Sequence, residues 1–335
     1  MKKILTRSQV GGPSRRPVAR RHLTGQTHIS RPAMRLVVAA SLFMAALAAA
    51  DGGLSAMVHM QIEAFIREHK CRQLFIEVGV AWYALSIWKL FFPERFVGAD
   101  LLPVFDHTLG LPPRCDVCAI AVEANPVVHQ HTLNPIEHML VSAGVPALFI
   151  RAAASTSFGT STFVGGGISG RVTGAQESFP GMRNWTVPAV DLAAIVLHAA
   201  DNVKRTHRRS GPSQGSVLLK LDCEGAEYSL LPHLEHSGAL CAVDQLLVEW
   251  HPMRPPSDRQ AHLEFTAQFM GRHGGRGHSR GRVAPVAAGF RCVHGHRLRV
   301  GTVDDETYFN TTKRALSAYA KASQRPTQCN DATYM

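Results

Sequence analysis

The chain has no carboxylate before Asp51, although its first fifty residues carry nine Lys and Arg. That absence accounts for most of the basic balance of the protein. Of a formal net charge of +11, the residues after 50 contribute little, with 27 basic against 25 acidic side chains. A near-neutral body gives phosphate backbones little to hold, so nucleic acid is not an expected partner. Long apolar runs are missing too. A membrane-spanning helix needs about 20 apolar residues, and the uncharged run Leu36–Ala50 stops at 15. The seven cysteines lack a regular framework. Cys115 and Cys118 have the CxxC spacing, yet no second pair and no His pair follows at zinc-site distance. They read as an ordinary thiol pair, or as a local disulfide if the protein is secreted. The odd count leaves at least one cysteine free in a monomer. There is no internal repeat. What remains is globular: 335 residues, 45% apolar and 18% charged, enough to bury one sizeable core.

Residues 1–33 are rich in Arg, Ser, Thr, Gly and Pro without apolar periodicity, and disorder is expected there. Leu36–Ala50 follows Arg31 and Arg35 and ends in small residues, the layout of a secretory signal or signal anchor. The acid-free leader also fits an organelle transit peptide, and translation from Met34 would leave a compact signal peptide. An ordinary buried helix is the remaining reading. The expected organisation is a targeting or anchor segment over 1–51, a main domain over 52–310 and a loose tail over 311–335. Inserts are expected near 89–116, 201–215 and 271–282. Localisation, read from the leader alone, is the secretory pathway or a membrane anchor through 36–50, with an organelle as the alternative.

The main domain alternates strands and helices. Residues 52–70 predict a helix with Met57, Met60, Ile62, Phe65 and Ile66 on or near one face. Gln73–Gly79 is an apolar strand ending in a carboxylate and a glycine. The next strand is either Phe96–Asp100 or Cys118–Glu123; each ends in a carboxylate of the kind that accepts hydrogen bonds from ribose hydroxyls. A helix follows from Pro126 to about Ala143, then a strand over 147–154. The Ser, Thr and Gly-rich run 155–170 reads as a mobile loop or a small hairpin over a site. Residues 185–190 lead into a helix that Asp191 would cap. Residues 201–216 read as a polar surface insertion. A helix over 263–270, a basic Arg-Gly loop over 271–282 and strand character over 290–303 complete the domain. That Arg-Gly loop is the one feature that would favour RNA.

The stretch around which these pieces are organised is Ser216–Leu234. Val217–Leu221 is a short apolar run broken only by Lys220, which is expected to reach the surface. Asp222, Glu224 and Glu227 then crowd the turn into a helix. Gln245–Glu249, followed by Trp250 and His251, is a second strand with polar groups at its end. Ligands of open α/β sheets bind at the carboxyl ends of strands, so these residues form a candidate site. The plainer reading is that Glu224 and Glu227 only favour a helix N-terminus electrostatically.

Leu219-Lys-Leu-Asp-Cys-Glu-Gly-Ala-Glu227 resembles the K-I-D-x-E-G-x-E signature of the FkbM-type methyltransferases. Phe75–Gly79 looks like that family's first strand and cofactor loop, and Val122-Glu-Ala-Asn-Pro126 is similar to its F-E-P-N-P segment. Val187–Leu192 resembles the segment before its L-D-x-x-L helix, and Leu246–Glu249 its last apolar strand. The resemblance spans about residues 73–252. It implies a Rossmann-like class I methyltransferase fold, with a mostly parallel sheet and helices on both faces. It also implies S-adenosylmethionine as methyl donor, usually for O-methylation of a small molecule or glycan. By the same resemblance Glu77 and Gly79 lie beside the cofactor, Glu123 binds the ribose with Asn125 next to it, and Asp222 and Glu224 border the reacting centre. The first loop departs from the family's D-x-G-x-N-x-G, reading Glu77-Val-Gly-Val-Ala-Trp-Tyr83. About twenty extra residues before Glu123 make Asp100 a rival ribose acid.

Methyl transfer to a hydroxyl needs alignment and a base, or a metal that lowers the hydroxyl pKa. Asp222 or Glu224 is the expected base or substrate contact, His251 an auxiliary base and Glu249 a substrate contact. No metal is assigned, although Asp222 and Glu249 could share one. A methyltransferase-like module without catalysis, used for binding or scaffolding, is the alternative that the altered first loop favours.

Overall fold

In a computed structural model of the chain the described residues are 51–80, 85–166, 169–173, 181–207, 215–251, 256–273, 292 and 298–302. The leader with its apolar run, residues 81–84, the Arg-Gly segment beyond 273 and the tail lie outside them. No helix among the described residues is long and apolar enough to cross a membrane.

Leu54, Val58, Ile62 and Ile66, four residues apart, make one buried stripe of α1 (Asp51–Glu68), while Met60 turns to solvent. The chain continues into β1 (Gln73–Val78), α2 (Leu85–Phe91), α3 (Leu101–Leu109) and β2 (Val117–Glu123). Next come α4 (Pro126–Val128), a π-helical turn over His129–Leu133 and α5 (Asn134–Ser142). β3 (Ala147–Arg151) and β4 (Ala153–Ser155) follow, then β5 (Gly159–Gly166), β6 (Ser169–Thr173) and β7 (Arg183–Asp191). The remainder is α6 (Leu192–His207), β8 (Val217–Leu221), α7 (Glu227–His236), β9 (Gln245–Val248), α8 (Pro256–His273) and β10 (Arg299–Thr302).

Six strands form one parallel sheet in the order β3-β2-β1-β8-β9-β10. A parallel sheet must be covered on both faces, and the alternation of its strands shows how this is done. Leu74, Ile76 and Val78, with Ile120, Val122, Leu219 and Leu246, share one core with α1, α6, α7 and α8. Phe75, Ala119, Ala121, Leu218 and Leu247 face the other way, against Trp88, Phe92, Leu101 and Phe105 from α2, α3 and their connection. Burying one such Phe contributes about 1.5–3 kcal/mol. Much of the segment 89–116, expected as an insert, packs in this second core, from Leu90 and Phe92 to Leu109.

The expected strand Phe96–Asp100 does not form. Pro93 opens a 3₁₀ turn over Pro93–Arg95 and Gly98 takes φ 87°, so the chain turns into α3 instead. Residues 201–207, expected in a surface insertion, extend α6, whose first turn is capped by Asp191 Oδ1 accepting from the Ala194 N–H at 3.1 Å. The Ser/Thr/Gly run is a hairpin, β5 with β6, and joins β7 and β4 in a second sheet of order β4-β7-β5-β6. Cys118 pairs with Cys71 rather than with Cys115, which is itself disulfide-bonded, and Cys241 pairs with Cys292.

Candidate functional site

The strand order reverses between β1 and β8, since β1 leads outward to β2 and β3 on one side and β8 to β9 and β10 on the other. Strand-end loops diverge at such a point and leave a crevice. Here an open crevice with a cavity volume of about 70 Å³ lies at the carboxyl ends of β1, β2 and β8. Gly79, Glu123, Asp222, Cys223 and Glu224 line it from the sheet; Phe163, Gly170 and Val172 of the β5–β6 hairpin close it from the side. A Cβ on Gly170 would lie 2.4 Å from the Phe163 ring, so only glycine lets that ring pack there.

Gly79 is required by the sheet as well as the crevice. Its φ is +79°, and a Cβ would sit 1.5 Å from the Asp222 carbonyl oxygen. The Glu123 carboxylate is held on both oxygens, Oε2 accepting from the Val80 N–H at 2.9 Å and Oε1 from the Asn125 N–H at 2.7 Å. These two bonds fix the orientation of the carboxylate at the end of β2. Asn125 lines the crevice next to Glu123 and also caps α4, its Oδ1 accepting from the N–H groups of Val127 and Val128. Asp100 is exposed, precedes α3 and does not line the crevice.

Glu77 is also displaced from its expected place. The period-2 alternation that puts Val78 on the crevice side turns Glu77 to the opposite face, opposite Lys220 in the β1–β8 register. Its Oε1 lies 3.3 Å from Lys220 Nζ. Lys220 does not reach the surface; it is buried and also donates to Asp222 Oδ2 at 3.0 Å and Ser86 Oγ at 3.4 Å. Asp222 is thereby pinned through one oxygen.

Beyond Asp222 the backbone turns sharply, with φ +52° at Glu224 and +102° at Gly225. Glu227 fixes this turn. Fully buried at the start of α7, it accepts from the Cys223 N–H at 2.9 Å and the Gly225 N–H at 2.7 Å, and holds His251 Nδ1 at 2.8 Å. His251 Nε2 then lies 3.8 Å from Asp222 Oδ1 and 3.8 Å from Glu249 Oε1. Glu227 is a positioning residue that the sequence reading left at a helix N-terminus. Its spacing of four from Cys223 was the available signal, but the His251 contact crosses from α7 to the end of β9.

The charges of this cluster act on one another. Burial alone would lower the His251 pKa, but its hydrogen bond to Glu227 and the charges of Glu227, Glu224 and Asp222 prevail, raising it to about 9. Burial, then repulsion from Asp222, raises Glu249 to about 8 against the opposing pull of Lys220 and His251. At neutral pH both therefore hold a proton. Burial and the carboxylates of Glu227 and Asp222 push the Cys223 thiol up, which removes it as a nucleophile. Glu224 is exposed at the lip. The structure thus brings Asp222, Glu224, Glu249 and His251 together, with Gly79 and Glu123 along the same crevice, and leaves Asp100 outside. Trp82 and Tyr83 of the first loop lie outside the described residues.

Compared with known proteins, the chain matches no family model, no curated protein and no solved structure.

Proposed function

We propose that the chain is an S-adenosylmethionine-dependent methyltransferase of Rossmann-like class I fold, akin to the FkbM type, acting on a hydroxyl of a small molecule or glycan. The observation that carries this reading is the crevice at the reversal of strand order, with Glu123 at the end of β2 and Asp222 at the end of β8. Counting only strands of the parallel sheet, the order is 3-2-1-4-5-6, the doubly wound order in which nucleotides bind at the switch point. An oriented carboxylate at the end of the second strand suits a ribose diol, so the residues present fit the cofactor. When bound, S-adenosylmethionine supplies a methyl group on a positively charged sulfur.

The chain's own residues would do the rest. Glu123 holds ribose hydroxyls, the β5–β6 hairpin excludes water, and Glu224 meets the acceptor at the lip. Asp222 Oδ1 takes the acceptor's proton, while Lys220 keeps the carboxylate in place through Oδ2. His251, protonated at neutral pH, serves as a base only as the pH approaches 9. Disulfides at Cys71–Cys118 and Cys241–Cys292 favour an oxidising compartment. That supports the secretory reading of the leader, and with it a glycan or secreted acceptor.

Calorimetric titration of S-adenosylmethionine and S-adenosylhomocysteine into the full chain tests the proposal. Micromolar binding, lost in Glu123→Ala and kept in Asp100→Ala, is expected. A folded chain that binds neither at millimolar concentration would sink the enzyme reading and leave a non-catalytic binding module.

A further inference from the structure

We propose that Asp222, Glu249 and the Nε2 atom of His251 bind one divalent transition-metal cation. Taking one ligand atom from each, all three lie within 4.8 Å of one another, a grouping of Asp, Glu and His at the ends of β8 and β9. The separations of 3.8 Å from Nε2 to Asp222 Oδ1 and to Glu249 Oε1 are too long for hydrogen bonds. They suit ligands of a shared ion: atoms about 2.0–2.2 Å from one cation lie roughly 3–4 Å apart.

Three further observations point the same way. Glu227 holds Nδ1 of His251, which leaves Nε2 as the ring atom facing the two carboxylates; metal-bound histidines are commonly oriented by a carboxylate in this way. Glu249 Oε2 is sealed from solvent without a hydrogen-bond partner, and the nearby Asp222 carboxylate is an acceptor as well. Two acceptors facing each other need a positive charge between them, a proton or a cation. Finally, Lys220 donates to the far oxygen, Asp222 Oδ2, which leaves Oδ1 on the side of His251 Nε2.

One imidazole with two carboxylates suits Mn²⁺, Fe²⁺, Co²⁺ or Zn²⁺ better than Ca²⁺ or Mg²⁺. Because Asp222 also lines the crevice, an acceptor hydroxyl could reach the ion. In the metal-bound form Asp222 would be a ligand rather than the base: coordination would lower the hydroxyl pKa, its proton would pass to water, and the oxygen would bond to the donor's methyl carbon as the carbon–sulfur bond breaks and S-adenosylhomocysteine leaves. This role rests on the methyltransferase reading; the binding site itself does not.

The test is Mn²⁺ binding to the chelator-treated full chain, followed by loss of the free-ion electron paramagnetic resonance signal. One Mn²⁺ per chain is expected, with affinity at least about tenfold weaker in Glu249→Gln. In the unmutated protein, Mn²⁺ should broaden the His251 ring resonances selectively, a readout that needs no variant. Absence of stoichiometric binding at millimolar Mn²⁺, or unaltered His251 resonances when Mn²⁺ binds, overturns the site. The cofactor titration run in chelator separates the two proposals. Cofactor binding without Mn²⁺ binding rejects only the metal site, and Mn²⁺ binding without cofactor binding supports the site while rejecting the enzyme reading.

Discussion

Glu249→Gln should make the metal-free protein more stable at alkaline pH, although it removes a charged residue from a cluster that contains two cations. The Glu249 side chain is 11% exposed and its pKa is raised from 4.5 to about 8, by burial first and by Asp222 second. A carboxyl with a higher pKa folded than unfolded keeps its proton longer in the folded state. Its contribution is therefore complete below pH 4.5 and is lost as the pH rises through 8. A displacement of about 3.5 units at about 1.4 kcal/mol each corresponds to roughly 5 kcal/mol between those limits. Glutamine has nearly the same shape, carries no charge to desolvate and can donate to Asp222. Urea unfolding followed by tryptophan fluorescence, in chelator at pH 5 and at pH 8.5, reads the difference. The two proteins should have similar stability at pH 5, and the variant should lead by several kcal/mol at pH 8.5. Parallel pH–stability curves would refute the reasoning, because they would mean that ionising Glu249 costs the fold nothing.

Glu227→Gln should lower the His251 pKa from about 9 by at least one unit, seen in an NMR titration of the ring, because the hydrogen bond and nearest charge that raise it are both weakened. An unchanged His251 titration would show that Glu227 does not set its charge. Gly79→Ala should destabilise the protein by more than about 3 kcal/mol, or prevent folding, since the new Cβ meets a backbone carbonyl that cannot move aside. A urea midpoint within error of the unmutated chain would rule out the close approach of β1 and β8.

The parts of the fold that could be read from the sequence were those where burial on both faces leaves an unbroken apolar run. Leu74–Val78, Cys118–Val122, Val217–Leu221 and Leu246–Val248 are such runs, and the carboxylates that end three of them, Glu123, Asp222 and Glu249, do gather at one edge of the sheet. The run Phe96–Asp100 misled because Phe96 and Ala99 are indeed buried, but on a turn leading into α3 on which Val97 faces solvent. The second sheet was visible only as a possible hairpin. Its strands are rich in Ser, Thr and Gly, and the pairing of β5 with β7 joins residues far apart in the chain. Lys220 looked like a surface residue because a lone charge in a strand usually is one. Its ion pair with Glu77 depends on a register between strands 143 residues apart. Glu227 was hidden for a similar reason, since its role depends on where His251 lands.

The unionised thiol of Cys223 has a consequence for a crevice that would hold an alkylating sulfonium. Thiolates are far better methyl acceptors than the hydroxyls such an enzyme would serve, and a cysteine in the wall invites the protein to modify itself. Burial first, and then the charges of Glu227 and Asp222, keep this sulfur protonated. The other cysteines with assigned chemistry, Cys71, Cys115, Cys118, Cys241 and Cys292, are already spent in disulfides. If the chain transfers methyl groups as proposed, the buried, acidic wall would thus also be a form of self-protection, discriminating between the guest's oxygen and the host's own sulfur.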